Sequence, residues 1–232
     1  MRRVLLLVVL VVLVAATLAA QVEPASATSE CRGFMACVPV AGPWVVVPAG
    51  GRALRPSVQY QLTCPRGFVV GGVDAELSDR AIDVWFLGAA GSPVGPGRTT
   101  SRTIVFVATY VGQGAAAPTF RPHAGCIPGS GGGRRTPVAF SAVFPPGRPT
   151  VRRVRTIRVA APRFYAVGCR NDERLVAAYS ARGIRTAQPP SPAQVSSLTA
   201  NVAVARGHVT AHVRGGGGRG VVQIAAVCAG GR

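Results

Sequence analysis

Beyond an apolar N-terminal run, hydrophobic residues fall in short blocks separated by turn residues, not at helical intervals. Trp44-Val45-Val46-Val47-Pro48, Val58-Gln59-Tyr60-Gln61-Leu62 and Ile82-Asp83-Val84-Trp85-Phe86-Leu87 are such blocks in the first half. Arg102 to Val111, Val138 to Phe144, Val151 to Ala160, Phe164 to Val167, Gly207 to Val213 and Val221 to Val227 continue the series. Alternation and β-branched density predict strands in all of them. Between them stand Gly50-Gly51, Ser92-Pro93, Gly95-Pro96-Gly97, Pro145-Pro146-Gly147, Pro189-Pro190 and Gly215 to Gly218, which are turn signals. No long 3.6-residue period follows the N-terminal run; a short helix is expected within Gln194 to Ala205, although Val and Thr crowd that window. Many short strands with frequent turns predict an all-β fold of sandwich or barrel type.

The N-terminus has the layout of a secretory signal peptide. Met1-Arg2-Arg3 is basic, Val4 to Ala20 is apolar except for Thr17, and Ala25-Ser26-Ala27 forms a small-x-small cleavage site before Thr28. The competing expectation is an uncleaved membrane anchor. No later stretch is long and apolar enough to span a bilayer, so after cleavage no membrane span is expected.

All six cysteines, Cys31, Cys37, Cys64, Cys126, Cys169 and Cys228, lie beyond the cleavage site. An even count in an exported chain predicts disulfides. No C-x-x-C pair suggests zinc, haem or redox chemistry. Cys64 opens a segment that closes at Cys126, and Cys169 opens another that closes at Cys228. Each opening Cys is preceded by a strand-like run and followed by a polar turn and an apolar strand. This organisation predicts Cys64–Cys126 and Cys169–Cys228, leaving Cys31 for Cys37; the alternative joins Cys31 or Cys37 to Cys64. The expected division is a signal peptide at 1–27, a first β unit at 28–128, a glycine-rich linker at 129–136 and a second β unit at 137–232. The fold class is thus two tandem disulfide-stabilised β-sandwich-like units after a signal peptide.

Three short stretches resemble repeats in uncharacterised secreted proteins of high-GC Gram-positive bacteria: Cys64-Pro65-Arg66-Gly67-Phe68-Val69-Val70-Gly71-Gly72, Pro189-Pro190-Ser191, and Val222 to Cys228. The resemblance covers about two thirds of the chain. Cys169-Arg170-Asn171-Asp172 departs from the Pro and Gly of the pattern. The resemblance implies a Cys-bracketed β module and carries neither an activity nor catalytic residues.

Charge changes the picture most. The chain has 26 basic and 8 acidic residues, a net charge of +18, and every basic residue is Arg. Loss of residues 1–27 removes Arg2, Arg3 and Glu23 and leaves +17. The absence of Lys fits a GC-rich genome, which also raises Ala, Gly, Val and Pro; the scarcity of acids is left as a property of the surface. Val151-Arg152-Arg153-Val154-Arg155-Thr156-Ile157-Arg158 would place Arg153 and Arg155 on one strand face and Arg152 and Arg158 on the other. These four arginines are the candidate polyanion-binding residues, with Arg134, Arg135 and Arg148 just upstream. A cell-wall polyanion or acidic glycan is the expected partner. Nucleic acid is disfavoured, because no aromatics are interleaved for stacking. The bland alternative is a charge-protected edge strand.

The remaining chemistry is sparse. Asp74, Glu76, Asp79 and Asp83 are clustered; Asp74, Glu76 and Asp79 are a calcium candidate. The same cluster offers paired carboxylates for glycoside hydrolysis, or a solvated loop paired with Arg80. His208 and His212 would suit a metal on a helix, but on a strand their rings lie about 13 Å apart. His123 would be free to orient a serine nucleophile, but no G-x-S-x-G elbow accompanies it. Gly215 to Gly218 lacks the ending of a phosphate loop. No cofactor, catalytic residue or convergent polar cleft is expected. The functional expectation is a secreted or envelope-associated non-enzymatic binding or structural module for acidic polymers; the alternative is a secreted hydrolase using Asp74 to Asp83.

Overall fold

In a computed structural model, the structure describes residues 28–49, 56–87, 102–112, 117–129, 150–205 and 207–230. The expected signal peptide, most of the expected glycine-rich linker, the strand expected at Val138 to Phe144, and Arg134, Arg135 and Arg148 lie outside them. The described chain is almost entirely strand, as the hydrophobic pattern predicts. The strands are β1 (Val38–Ala41), β2 (Trp44–Val46), β3 (Ser57–Thr63), β4 (Phe68–Leu77), β5 (Ile82–Leu87), β6 (Thr103–Tyr110), β7 (Thr119–Pro128), β8 (Thr150–Val159), β9 (Arg163–Gly168), β10 (Glu173–Ile184), β11 (Leu198–Ala205), β12 (His208–Gly215) and β13 (Gly220–Gly230). One short helix, α1 (Pro192–Ser197), precedes β11. It starts with a capping box: Ser191 Oγ accepts from Gln194 N–H, and Gln194 Oε1 accepts from Ser191 N–H. The helix is confined to six residues, because the backbone turns extended at Leu198 and the Val-rich remainder of the expected window becomes β11.

All strand pairs are antiparallel. A seven-stranded sheet runs β4-β7-β2-β10-β13-β8, with β1 end to end with β2 along the same side of β7. Two three-stranded sheets, β3-β6-β5 and β9-β12-β11, complete the fold. Trp44, Val45 and Val46 of β2 are all buried and pair with both β7 and β10, so one sheet is continuous through the molecule. One apolar cluster gathers Tyr60, Ile104, Phe106 and Phe120; a second gathers Ile157, Val159, Leu198, Val213 and Ile224. Ala181 of β10 belongs to the first cluster, so the two cores meet across the sheet.

The three disulfides are Cys31–Cys37, Cys64–Cys126 and Cys169–Cys228. Cys64 directly follows β3 and reaches β7; Cys169 directly follows β9 and reaches β13. Each long bridge therefore ties a three-stranded sheet to the large one. β4 shifts register between Val70 and Gly72, and β10 between Leu175 and Ala177. Both irregularities stand at the same distance from their Cys, and both Val70 and Leu175 lie opposite a closing cysteine, Cys126 and Cys228.

Candidate functional site

The four arginines of β8 alternate faces, as a strand requires, and the two faces meet different surroundings. Arg152 Nη1 donates to Gln59 Oε1 at 2.7 Å, and its guanidinium lies 4.9 Å over the Tyr179 ring. Arg153 makes a bidentate pair with Glu173, Nη1 to Oε2 at 2.5 Å and Nη2 to Oε1 at 2.8 Å. Hydrogen bonding from Arg153 is the largest cause holding the Glu173 carboxyl below its usual range; Arg170 N–H adds to it. Arg155 stacks 5.1 Å from the Tyr165 ring centre and donates to Ala166 C=O at 3.2 Å. Of the four, only Arg158 is both exposed and without such a contact to the described residues. The quartet is thus not one free cationic face: three members are tied to other strands, Arg152 to β3, Arg153 to β10 and Arg155 to β9.

A different set of arginines gathers at one end of the second core. Val221 pairs with Arg158 and Gly220 with Val159, so β8 ends where β13 begins. Gly220 also pairs with Ile184, and Arg185 N–H donates to Arg219 C=O at 2.9 Å. On the facing sheet, Val213 pairs with Arg163, and Arg214 follows it. Arg158, Arg163, Arg185, Arg214 and Arg219 are all exposed. Strand spacing places the first sheet's three arginine-bearing strands across about 10 Å, with the facing sheet about 10 Å away. No Asp or Glu occurs beyond Glu173, and Asp172 and Glu173 lie at the opposite end of β10. Sequence reading found only Arg158 of this set, because its members are scattered over 62 positions of chain.

Gly215 to Gly218 form the turn that brings β12 into β13, with left-handed φ at each of the four. His212 stacks on exposed Phe164, its cross-strand partner, at 4.2 Å between ring centres. His208 lies on the same strand face, near Gly168.

The acids form a second region, built around the N-terminal segment. Asp74 Oδ2 accepts from Ser29 N–H at 2.6 Å and from Ser29 Oγ–H at 3.0 Å, and Oδ1 accepts from Ala75 N–H at 2.7 Å. Burial pushes this carboxyl up, but those hydrogen bonds and nearby His123 outweigh it and hold it below the usual range. Asp79 caps a turn through Ala81 N–H at 2.8 Å and accepts from Tyr110 O–H at 3.2 Å. Asp83 is exposed on β5. Asp74, Glu76 and Asp79 therefore face separate partners and do not converge as calcium ligands. Among the described residues, the group whose ligand atoms do converge is Cys169, Glu173 and Cys228, where both sulfurs are already in a disulfide.

His123, for which the sequence shows no nucleophile elbow, is buried between two carboxylates. Its Nδ1 lies 3.6 Å from Glu30 Oε1 and its Nε2 3.1 Å from Glu76 Oε1; Arg121 Nη1 stands 3.8 Å from Glu76 Oε2. Neither His123 Nε2 nor Glu30 Oε2 has an aligned hydrogen-bond partner. These residues line an open pocket of about 750 Å³ with Thr28, Ser29 and Arg32, so a cleft with convergent polar groups exists where none was expected. The carboxylates flank opposite ring nitrogens, and their oxygens do not converge on one point as the ligands of a metal ion would. Among the described residues no serine or cysteine nucleophile completes it, since Ser29 Oγ is turned to Asp74 and Cys31 is bonded to Cys37.

Among the described residues no helix is long and apolar enough to cross a membrane. Compared with known proteins, the chain matches no family model, no curated protein and no solved structure.

Proposed function

We propose that this protein is a secreted or envelope-associated, non-enzymatic binding module that holds an acidic polymer on the arginine end of its second core. The observation that carries this reading is the gathering of exposed Arg158, Arg163, Arg185, Arg214 and Arg219 from five strand ends, with no acid in the chain beyond Glu173. Guanidinium forks suit phosphate and carboxylate oxygens, and a single-sign surface concentrates polyanions. Three disulfides and the expected leader fit an oxidising compartment. The two halves are read as repeats of one module, because β3 to β7 and β9 to β13 share strand order, disulfide position and register shift. A hydrolase built on Asp74 to Asp83 is the weaker reading, since Asp74 and Asp79 are occupied by local hydrogen bonds.

Retention on immobilised linear polyphosphate, polyglutamate and neutral dextran tests the reading. Retention on the two polyanions that is lost with rising salt is expected. Equal retention on dextran, or none on either polyanion at low salt, contradicts it.

A further inference from the structure

The segment before β1 is not part of a sheet, yet it is fastened closely. Ser29 grips Asp74 through backbone and hydroxyl. Glu30 C=O enters a notch between Gly72 and Gly125, which are cross-strand partners; a Cβ at Gly72 would stand 2.1 Å from that oxygen, and one at Gly125 2.0 Å. The Glu30 side chain reaches His123, and Cys31–Cys37 closes the loop. These contacts set Thr28 on the wall of the pocket that Glu30, Glu76 and His123 also line.

Two buried polar atoms beside that pocket lack a partner among the described residues. Glu30 is 5% exposed, yet its Oε2 has no hydrogen-bond partner, and neither does Nε2 of His123, which is 4% exposed. A buried carboxylate oxygen without a donor is costly and calls for a cation. The charged groups lining this space are Glu30 and Arg32 from the segment itself, Glu76 from β4, and Arg121 and His123 from β7; Asp74 stands next to it, held against Ser29. The arginine pairing here is long, 3.8 Å from Arg121 to Glu76.

The sequence supplies a cation at the right place. Hydrolysis of the Ala27–Thr28 peptide bond by an export peptidase consumes one water and leaves a carboxylate on Ala27 and an amine on Thr28, which takes up a proton. Its nitrogen belongs to the residue next to Ser29, whose own N–H already rests 2.6 Å from Asp74 Oδ2; neighbouring Cα atoms are about 3.8 Å apart. We propose that the α-ammonium created at Thr28 is the cation of this pocket, held beside Asp74 in the combined field of Glu30 and Glu76, so that removal of the leader completes the docking of the N-terminal segment. The proposal rests on the expected export and processing, and is independent of polymer binding at the opposite half.

The composition provides a clean test. The chain has no Lys, so after processing the α-amine is its only primary amine, and an amine-specific acylating reagent neutralises that charge alone. Protein exported from the full precursor should begin at Thr28 on N-terminal sequencing. Its amine should acylate at least tenfold more slowly when folded than when unfolded. Acylated protein, made by labelling while unfolded with disulfides intact and then refolding, should melt about 3 °C or more below unmodified protein taken through the same steps at pH 7. The difference should fade above about pH 8 to 10, where the free amine is itself neutral. An Asp74→Asn protein should show a smaller difference; the acylation comparison on the native sequence decides the matter if that variant does not fold. A start at another residue, or a melting temperature at pH 7 unmoved by acylation, overturns the proposal.

Discussion

The side chain of Gln223 takes the place of a strand partner for Gln61. Gln61 N–H donates to Gln223 Oε1 at 2.7 Å, and Gln223 Nε2 donates back to Gln61 C=O at 3.0 Å. Gln223 also donates to Thr156 Oγ1 at 2.9 Å. One carboxamide on β13 thereby satisfies the open edge of β3 and joins the two cores, beside the Arg152–Gln59 contact. Gln223 is buried, so the geometry is enforced by the need to pair every polar group there.

Gln223→Leu is expected to destabilise the protein by about 2–4 kcal/mol, because it strands a backbone N–H and C=O at a covered seam. Guanidinium denaturation with disulfides intact measures it. A loss below about 0.5 kcal/mol would mean that water satisfies the edge of β3 equally well.

Gly125→Ala should loosen the N-terminal segment, since its Cβ would stand 2.0 Å from Glu30 C=O. A cost of about 1–3 kcal/mol is expected from the overpacking, with faster reduction of Cys31–Cys37 than in the parent. Unchanged stability and unchanged reduction would show that the notch yields freely.

Acid should weaken the fold through two carboxylates. Asp74 and Glu173 are both held below their usual range. Each therefore contributes stability that is present above the unfolded values, about 4, and is lost as pH falls through the lower folded values. Denaturation midpoints between pH 6 and pH 2.5 should fall, and Asp74→Asn and Glu173→Gln should each flatten that fall. Curves parallel to the parent would assign acid sensitivity to other groups.

Strand content and the turn at Gly215 to Gly218 were legible because both need only local residues; the turns expected at Gly50-Gly51, Ser92-Pro93, Gly95 to Gly97 and Pro145 to Gly147 lie outside the described residues. β7 was not: Thr-Phe-Arg-Pro-His-Ala-Gly-Cys-Ile-Pro carries two prolines and a glycine, which argue against a central strand. Pro122 is tolerated because it lies at the jog between β1 and β2, where Gly42 N–H donates to its C=O at 2.8 Å. Gly125 is required by the approach of Glu30. α1 did carry a local signal, the Ser191-Pro192-Ala193-Gln194 capping box, but its short length hid it among β-branched residues. The basic site was only partly legible. Arginine density marked β8, yet whether Arg153 is free depends on Glu173, 20 positions away, and no local pattern reveals that partner. The acidic pocket is assembled from Glu30, Glu76 and His123 on three separate segments, so only the fold brings it into being.

The central claim is that polymer binding is localised, and a charge-matched comparison tests it most directly. One variant replaces Arg158, Arg163, Arg185, Arg214 and Arg219 by Gln; the other replaces exposed Arg32, Arg66, Arg80, Arg170 and Arg174. Both lose the same net charge. Affinity for linear polyphosphate is measured by titration over a range of salt concentrations. The account predicts that the first variant loses affinity steeply, with its log–log salt slope reduced by about 0.7–0.9 for each contact removed, while the second stays close to the parent. Equal losses in the two variants would mean that net charge alone attracts the polymer and that the arginine end of the second core is not a site.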